Sequence, residues 1–129
     1  MQPRSSRKFS FPRSARLKTG RDFARLRQVG ARLACGCLVA NWERLAQGSQ
    51  TRLGVITSSK LGGAVVRNRA RRLLREAFRL HQHELATPVS MVVVARASIV
   101  GKTYAEVERD YLTALRKSGL SVNTAKVNA

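Results

Sequence analysis

The chain has 129 residues, and its 25 Lys and Arg residues against 7 Asp and Glu residues give a formal net charge of +18. This length suits a single domain with short ends. No stretch of the sequence approaches the roughly 20 consecutive apolar residues that span a bilayer. So much positive charge in one small domain repels itself, and binding to a polyanion relieves this repulsion. Nucleic acid is therefore the expected partner, and an anionic membrane surface is the alternative.

The first 18 residues are predicted to form a flexible basic arm. They contain six Lys or Arg residues and no acid, and they lack the apolar core of a secretory signal. Their Arg and Ser content is also similar to that of an organellar transit peptide, which composition leaves open. The rest of the chain is predicted to form one folded, nucleic-acid-binding domain over residues 19–119 and a flexible tail over 120–129.

The first predicted helix begins at Thr19, where Thr19 and Asp22 have the spacing of a capping box. An apolar stripe from Phe23 to Val29 follows at helical spacing, and Gly30 is a natural stop. Because the helix is short, we expect it to depend on tertiary packing for its stability.

Two or three strands are predicted next. The apolar run Leu33–Trp42 indicates strand structure, the polar stretch 43–51 indicates a hairpin loop, and Arg52–Ser58 indicates a strand covered on both faces. If Cys35 and Cys37 share one strand, they point the same way, and a disulfide between them would be strained. With no second cysteine pair for zinc, both are predicted to be packed, reduced thiols of a cytoplasmic protein.

A long helix is predicted over Ala64–His83, and the continuous apolar run Met91–Ala95 indicates a central strand. The predicted buried stripe of the helix consists of Val66, Ala70, Leu73, Leu74, Ala77 and Phe78. The last helix is predicted to begin at a capping box formed by Thr103 and Glu106 and to end at Gly119. Strands grouped early, with helices around one sheet, favour an α+β two-layer sandwich in the order α-β-β-β-α-β-α.

The segment Val66–Arg79 contains six arginines and only one acid, Glu76. Like charges one helical turn apart repel, and ordinary solvated helices reduce that cost with interspersed acids. A guanidinium offers a planar fork to phosphate or stacks on a base. The segment therefore favours a helix that docks on RNA over a merely solvated charged face. A DNA major-groove helix is the other alternative, although no helix-turn-helix spacing precedes it.

The same segment, with Arg67-Asn68-Arg69 at the centre of Lys60–Arg75, closely resembles the signature of the bacterial ribonuclease P protein components. The resemblance extends upstream through Arg52–Val55 and downstream through Val92–Arg96 and Thr103–Glu106. It covers about residues 16–117 in a consistent order.

The resemblance implies that the arginine-rich helix docks on the catalytic RNA subunit of ribonuclease P. The residues that match this role are Lys60, Arg67, Asn68, Arg69, Arg71, Arg72 and Arg75. It also implies a cleft between the first helix and the sheet that holds the single-stranded 5′ leader of precursor tRNA, with Phe23, Arg27 and Asn41 in it. Arg27 and Asn41 stand where aromatic residues are common in the family. The fold implied is the same sandwich with a left-handed βαβ crossover.

No catalytic residue and no side-chain metal site are predicted. The seven acids do not form an evident two-metal pair, and on a helix His81 and His83 diverge by about 200°. The resemblance implies that the RNA subunit holds Mg²⁺ and performs the hydrolysis, so that the chain belongs to an endoribonuclease as its protein subunit. The expected partners are the catalytic RNA and precursor tRNA, without a membrane or a small-molecule ligand. A ribosomal protein or an RNA chaperone is the alternative.

Overall fold

The computed structural model describes residues 20–121, which form three α-helices and a four-stranded sheet in the predicted order. The elements are α1 (Gly20–Val29), β1 (Ala31–Cys35), β2 (Leu38–Arg44), β3 (Arg52–Ile56), α2 (Ala64–His81), β4 (Val89–Ala95) and α3 (Tyr104–Ser118). The predicted arm, the predicted cap at Thr19, the tail from residue 122, and the side chains of Arg21, Asp22 and Arg27 lie outside the described residues.

The four strands form one mixed sheet in the order β1-β2-β4-β3. β1 pairs with β2 and β2 with β4 in antiparallel fashion, whereas β3 and β4 are parallel and are joined through α2. The α+β sandwich and its element order are thus confirmed, and the handedness of the β3–α2–β4 crossover stays a prediction.

The apolar run Leu33–Trp42 is a β-hairpin. Cys35 of β1 pairs with Leu38 of β2, so Gly36 and Cys37 form a two-residue turn. Gly36 has a φ of 57°, a left-handed conformation that glycine adopts without steric cost. The prediction that the two cysteines share one strand is therefore wrong, because the uninterrupted apolar composition conceals the turn.

The two faces of the sheet differ in what covers them. In β4, Val89, Met91 and Val93 belong to the main core beneath α2 and α3, whereas Val92 and Val94 belong to a small cluster beneath α1. The largest fully buried side chains of the main core include Leu38, Leu53, Leu74, Phe78, Tyr111 and Leu115. Most of the buried apolar surface therefore lies on one side of the sheet.

The predicted apolar stripe of α2 is confirmed at its centre. Its buried members are Ala70, Leu74, Ala77 and Phe78. Val66 and Leu73 lie half-buried at its margin and pack against the core. The helix ends at His81, and a 3₁₀ turn over Gln82–Glu84 replaces its last predicted residues.

The predicted capping box of α3 is present. The Thr103 hydroxyl accepts a hydrogen bond from the Glu106 backbone, the Glu106 carboxylate accepts one from the Thr103 backbone, and Gly119 ends the helix with a φ of 79°. Leu120 and Ser121 beyond it are buried, and Ser121 forms a β-bridge with Leu85. The packed region therefore continues two residues past the predicted domain end.

His81 links the end of α2 to α3. Its Nδ1 lies 2.5 Å from Glu84 Oε2, and its Nε2 lies 2.7 Å from Glu108 Oε2. Burial of the ring lowers the pKa of His81, but the hydrogen bonds with Glu108 and Glu84 outweigh it, so that the pKa is raised from its ordinary value. The protonated ring thus stabilises this junction.

Candidate RNA-binding surfaces

The arginines of α2 lie on the two flanks of the helix, to either side of its buried stripe, and on its outer side. On the flank toward β3, Arg71 donates hydrogen bonds to Asn68 Oδ1 and to Thr57 Oγ1, both at 2.7 Å. Arg67 lies one turn before Arg71 on the same flank, and its buried Nε has no partner among the described residues. The partners of Arg71 hold its guanidinium in a fixed orientation before any ligand arrives.

The opposite flank of α2 faces the loop that precedes α3. Here Arg69 Nη2 donates to the backbone carbonyl of Lys102 at 2.8 Å. Arg72 is exposed, and within residues 20–121 its side chain has no hydrogen bond or ion pair. Glu76, the acid of this helix, accepts two hydrogen bonds from Arg79, at 3.0 and 2.7 Å. Because Arg79 neutralises the charge of Glu76, the other arginines leave the helix surface positive. The hydrogen bonds from Arg79 lower the pKa of Glu76.

The sequence-predicted residues of α2 therefore lie on one continuous surface. Lys60, in a 3₁₀ turn before the helix, is exposed as well. The exposed or half-buried members of this surface, called the arginine surface below, are Lys60, Arg67, Asn68, Arg69, Arg71, Arg72 and Arg75.

The other face of the sheet carries α1. Phe23 is half-buried and packs against the cluster formed by Leu26 and Val92. An ion pair fixes the helix to β2, because Arg25 donates to both carboxylate oxygens of Glu43 at 3.2 and 3.0 Å. These hydrogen bonds lower the pKa of Glu43. Packing and one ion pair thus hold this ten-residue helix against the sheet.

A groove of about 310 Å³ lies on the α1 face of the sheet, and its lining residues are Arg32, Val39, Asn41 and Val94. It is called the α1-face groove below. Asn41 is only 8% exposed as a residue, and its side chain lines the groove. A side-chain amide offers both a hydrogen-bond donor and an acceptor. The groove therefore presents a polar group, as well as apolar surface, to a ligand that enters it.

Arg32 was not predicted from the sequence as a site residue. It is exposed, and it lies directly opposite Asn41 in the β1–β2 ladder. This pairing could have been read from the sequence only if the turn at Gly36 had been located. Of the three residues predicted for leader binding, the structure brings Asn41 into the groove and packs Phe23 against the cluster that includes Val94. The side chain of Arg27 lies outside the described residues.

Within residues 20–121, no three His, Cys, Asp or Glu side chains are arranged to hold a metal ion. No helix of that region is long and apolar enough to cross a membrane.

Comparison with known proteins identifies relatives along most of the chain. Residues 11–119 match the family model described as Ribonuclease P. The ribonuclease P protein component of Syntrophomonas wolfei is 34% identical over 113 residues, which cover 88% of this chain and 94% of the relative. That of Desulfovibrio desulfuricans is 37% identical over 114 residues, which cover 86% and 88%.

Solved structures show the same fold. The RNase P protein of Staphylococcus aureus aligns with a TM-score of 0.76 at 27% identity, covering 83% of this chain and 97% of that one. The RNase P protein of Thermotoga maritima aligns with a TM-score of 0.70 at 26% identity, covering 79% and 96%. The chain therefore belongs to the ribonuclease P protein family, whose members associate with ribonuclease P RNA in the endoribonuclease that matures tRNA 5′ ends.

Proposed function

We propose that the chain binds the catalytic RNA through its arginine surface and the 5′ leader of precursor tRNA through the α1-face groove. It thereby assists the endonucleolytic removal of the leader. The observation that carries the proposal is an open groove that combines apolar side chains with the amide of Asn41 and the guanidinium of Arg32, on the opposite face of the sheet from the arginine surface. One small domain can then contact two RNA segments at once.

The arginine surface suits a folded RNA. A guanidinium bonds phosphate oxygens bidentately, and each phosphate neutralised releases condensed counterions. Arg71 is held by Asn68 and Thr57, so it loses little conformational freedom on binding. The residues proposed to contact the catalytic RNA are Lys60, Arg67, Asn68, Arg69, Arg71, Arg72 and Arg75.

The α1-face groove suits a single strand. Val39 and Val94 offer apolar surface to the face of a base, and the amide of Asn41 can both donate and accept hydrogen bonds. Arg32 at the rim can bind a phosphate of the same strand. A duplex keeps the Watson–Crick edges of its bases paired and is too wide to enter a groove of about 310 Å³. Phe23 and Arg27 of α1 are proposed to complete the leader site.

The chain is proposed to leave the chemistry to its partner. The RNA subunit would hold Mg²⁺ and hydrolyse the phosphodiester bond, while the protein screens the repulsion between two polyanions and retains the leader. The proposed place of action is the cytoplasm.

The test is cleavage of a precursor tRNA at low Mg²⁺ concentration by ribonuclease P RNA with and without the full-length chain. We expect stimulation that requires both components and yields a mature 5′ end, because protein cations replace part of the Mg²⁺ screening. A protein-only reaction is the control. RNA binding without stimulation would favour the ribosomal or RNA-chaperone alternative, and cleavage by the protein alone would contradict the assignment of chemistry to RNA.

A further inference from the structure

A second depression lies on the surface of α2, on the opposite face of the sheet from the α1-face groove. It has a volume of about 420 Å³, and its lining residues are Val65, Arg69, Arg72, Leu73, Glu76 and Tyr104. A smaller depression of about 250 Å³ adjoins it, sharing Val65 and Arg69 and continuing to Val100. Together they form an apolar patch between α2 and the start of α3, which is called the Val65 patch below.

The exposure of apolar side chains in this patch is unusual for so charged a protein. Val65 is 83% exposed and Val100 is 49% exposed, and the only other large exposed hydrophobic residue within 20–121 is Val29, at 58%. Single exposed apolar residues are common, but a group of them around a depression marks a contact site. Two of the three therefore lie together, beside Arg69 and Arg72 of α2.

The charges around the patch favour an anionic partner. Arg69 and Arg72 are one helical turn apart on its rim, and Arg69 is held in place by the Lys102 carbonyl. Glu76 at the far end is already neutralised by Arg79. A ligand that fits must present a flat apolar group to the depression and a negative charge to the rim. An unpaired nucleotide has both, since its base carries apolar faces and its phosphate lies next to it.

We propose that the Val65 patch binds an unpaired base of the catalytic RNA, while Arg72 contacts an adjoining phosphate. The base would lie against Val65 and Tyr104, and its polar edge would face Arg69. The proposal rests on the proposed function, because it takes the arginine surface as the docking surface for that RNA. It adds that α2 recognises the shape of the RNA through an extruded base, in addition to its density of phosphates.

The test compares Val65→Ser with Val29→Ser in the full-length chain. Both positions are exposed, so neither variant should lose its fold, and Val29 lies on α1 and serves as the matched control. We expect Val65→Ser to weaken binding to in vitro transcribed ribonuclease P RNA about tenfold, while Val29→Ser binds like the wild type. Because no charge is removed, the dependence of the dissociation constant on salt should keep the slope of the wild type.

A second measurement follows the base itself. Dimethyl sulfate modifies the unpaired edges of adenine and cytosine, and a carbodiimide reagent does the same for uracil and guanine. We expect the wild-type protein to protect at least one unpaired base that becomes reactive again with Val65→Ser but stays protected with Val29→Ser. This readout separates a base contact from a phosphate contact.

Equal affinities for the two variants, or a protected pattern that Val65→Ser leaves unchanged, would overturn the proposal. A change of the free protein's self-association on Val65→Ser, with RNA affinity unchanged, would also overturn it and make the patch a protein interface. These outcomes are distinct from a failure of the proposed function, since in that case the wild-type chain itself would fail to bind the RNA or to stimulate cleavage.

Discussion

The two faces of the sheet are built differently. On one face, α2 and α3 cover a large continuous core, and the outer surface of α2 carries the arginines. On the other face, a ten-residue helix covers a cluster centred on Leu26 and Val92 and leaves a groove beside it. The same β4 supplies alternate residues to both. One face of the sheet is thus covered by helices whose outer surface is cationic, and the other face remains partly uncovered.

The difference teaches where binding specificity can reside in a small domain. A face that is fully covered by helices can offer only the outer side of those helices, which here favours contact with phosphates. A face that is only partly covered keeps strand side chains such as Asn41 accessible to a ligand. The position of the short α1 therefore decides how much of the sheet stays open to a ligand.

The largest expected effect is on stability. Leu74→Ala removes a fully buried side chain of the main core, and we expect it to lower the free energy of unfolding by about 2–5 kcal/mol. Leu26→Ala should cost less, because the α1 cluster is small and its neighbours can relax into the space. Urea unfolding followed by circular dichroism measures both. Equal losses would show that the two faces do not differ in packing as described.

The next effect concerns the arginine surface. The triple substitution Arg71→Ala/Arg72→Ala/Arg75→Ala should weaken binding to the catalytic RNA and reduce the slope of log affinity against log salt by up to about three units. Filter binding over a series of salt concentrations measures this slope.

A matched control removes the same charge elsewhere. Arg44, Arg96 and Arg109 are exposed and lie outside α2. If alanine at these three positions reduced the slope as much as the α2 triple does, binding would follow net charge and the docking surface would not be localised on α2.

A smaller effect is expected in the α1-face groove. Asn41→Ala removes the amide that lines the groove, and we expect affinity of the assembled enzyme for precursor tRNA to fall about fivefold, the equivalent of one neutral hydrogen bond. Affinity for mature tRNA should stay the same. Arg32→Ala is the companion variant, and it should also reduce the salt dependence of leader binding. Loss of affinity for mature tRNA would mean that the groove contacts the body of the tRNA.

The smallest expected effect is the pH dependence at the α2–α3 junction. Because the pKa of His81 is raised in the folded state, its contribution to stability is fully present below its unfolded pKa and is lost as pH rises through the folded pKa. The free energy of unfolding, measured by urea denaturation, should therefore fall more between about pH 6 and pH 8 in the wild type than in His81→Gln, by less than about 1 kcal/mol. His83→Gln is the control, since His83 is exposed and 4.0 Å from Glu84. Parallel pH profiles for wild type and His81→Gln would contradict the role of the ion pair.

Local signals predicted most of the fold. The capping box at Thr103, the left-handed stop at Gly119 and the apolar stripe of α2 were recognisable because each depends on residues within a few positions of one another. The turn at Gly36 was missed because its neighbours are apolar. Its stability comes from a distant residue, Asp110, which accepts a hydrogen bond from the Cys37 backbone at 3.0 Å.

The candidate sites were predicted less completely for the same reason. The predicted RNA-contacting residues of α2 belong to one helical segment. The number of arginines and the sign of their charge could therefore be read from the sequence. Arg32 joins Asn41 only through the register of the hairpin, and the depression at Val65 also needs Tyr104, which belongs to α3. The role of His81 depends on Glu108, which belongs to another helix. Contacts between elements distant in sequence thus account for what was missed.

The most direct test of the two-face account is a crossed measurement of affinity. The assembled enzyme is titrated with precursor tRNA carrying a leader and with mature tRNA, using the Arg71/Arg72/Arg75 triple variant and Asn41→Ala. In parallel, each variant's affinity for the catalytic RNA alone is measured. The account predicts that the triple variant loses affinity for the catalytic RNA but, once assembled, still prefers precursor tRNA with a leader over mature tRNA. Asn41→Ala should keep the affinity for the catalytic RNA and lose part of that preference. If both variants lost both properties in proportion, the two faces would not act separately, and the account would be contradicted.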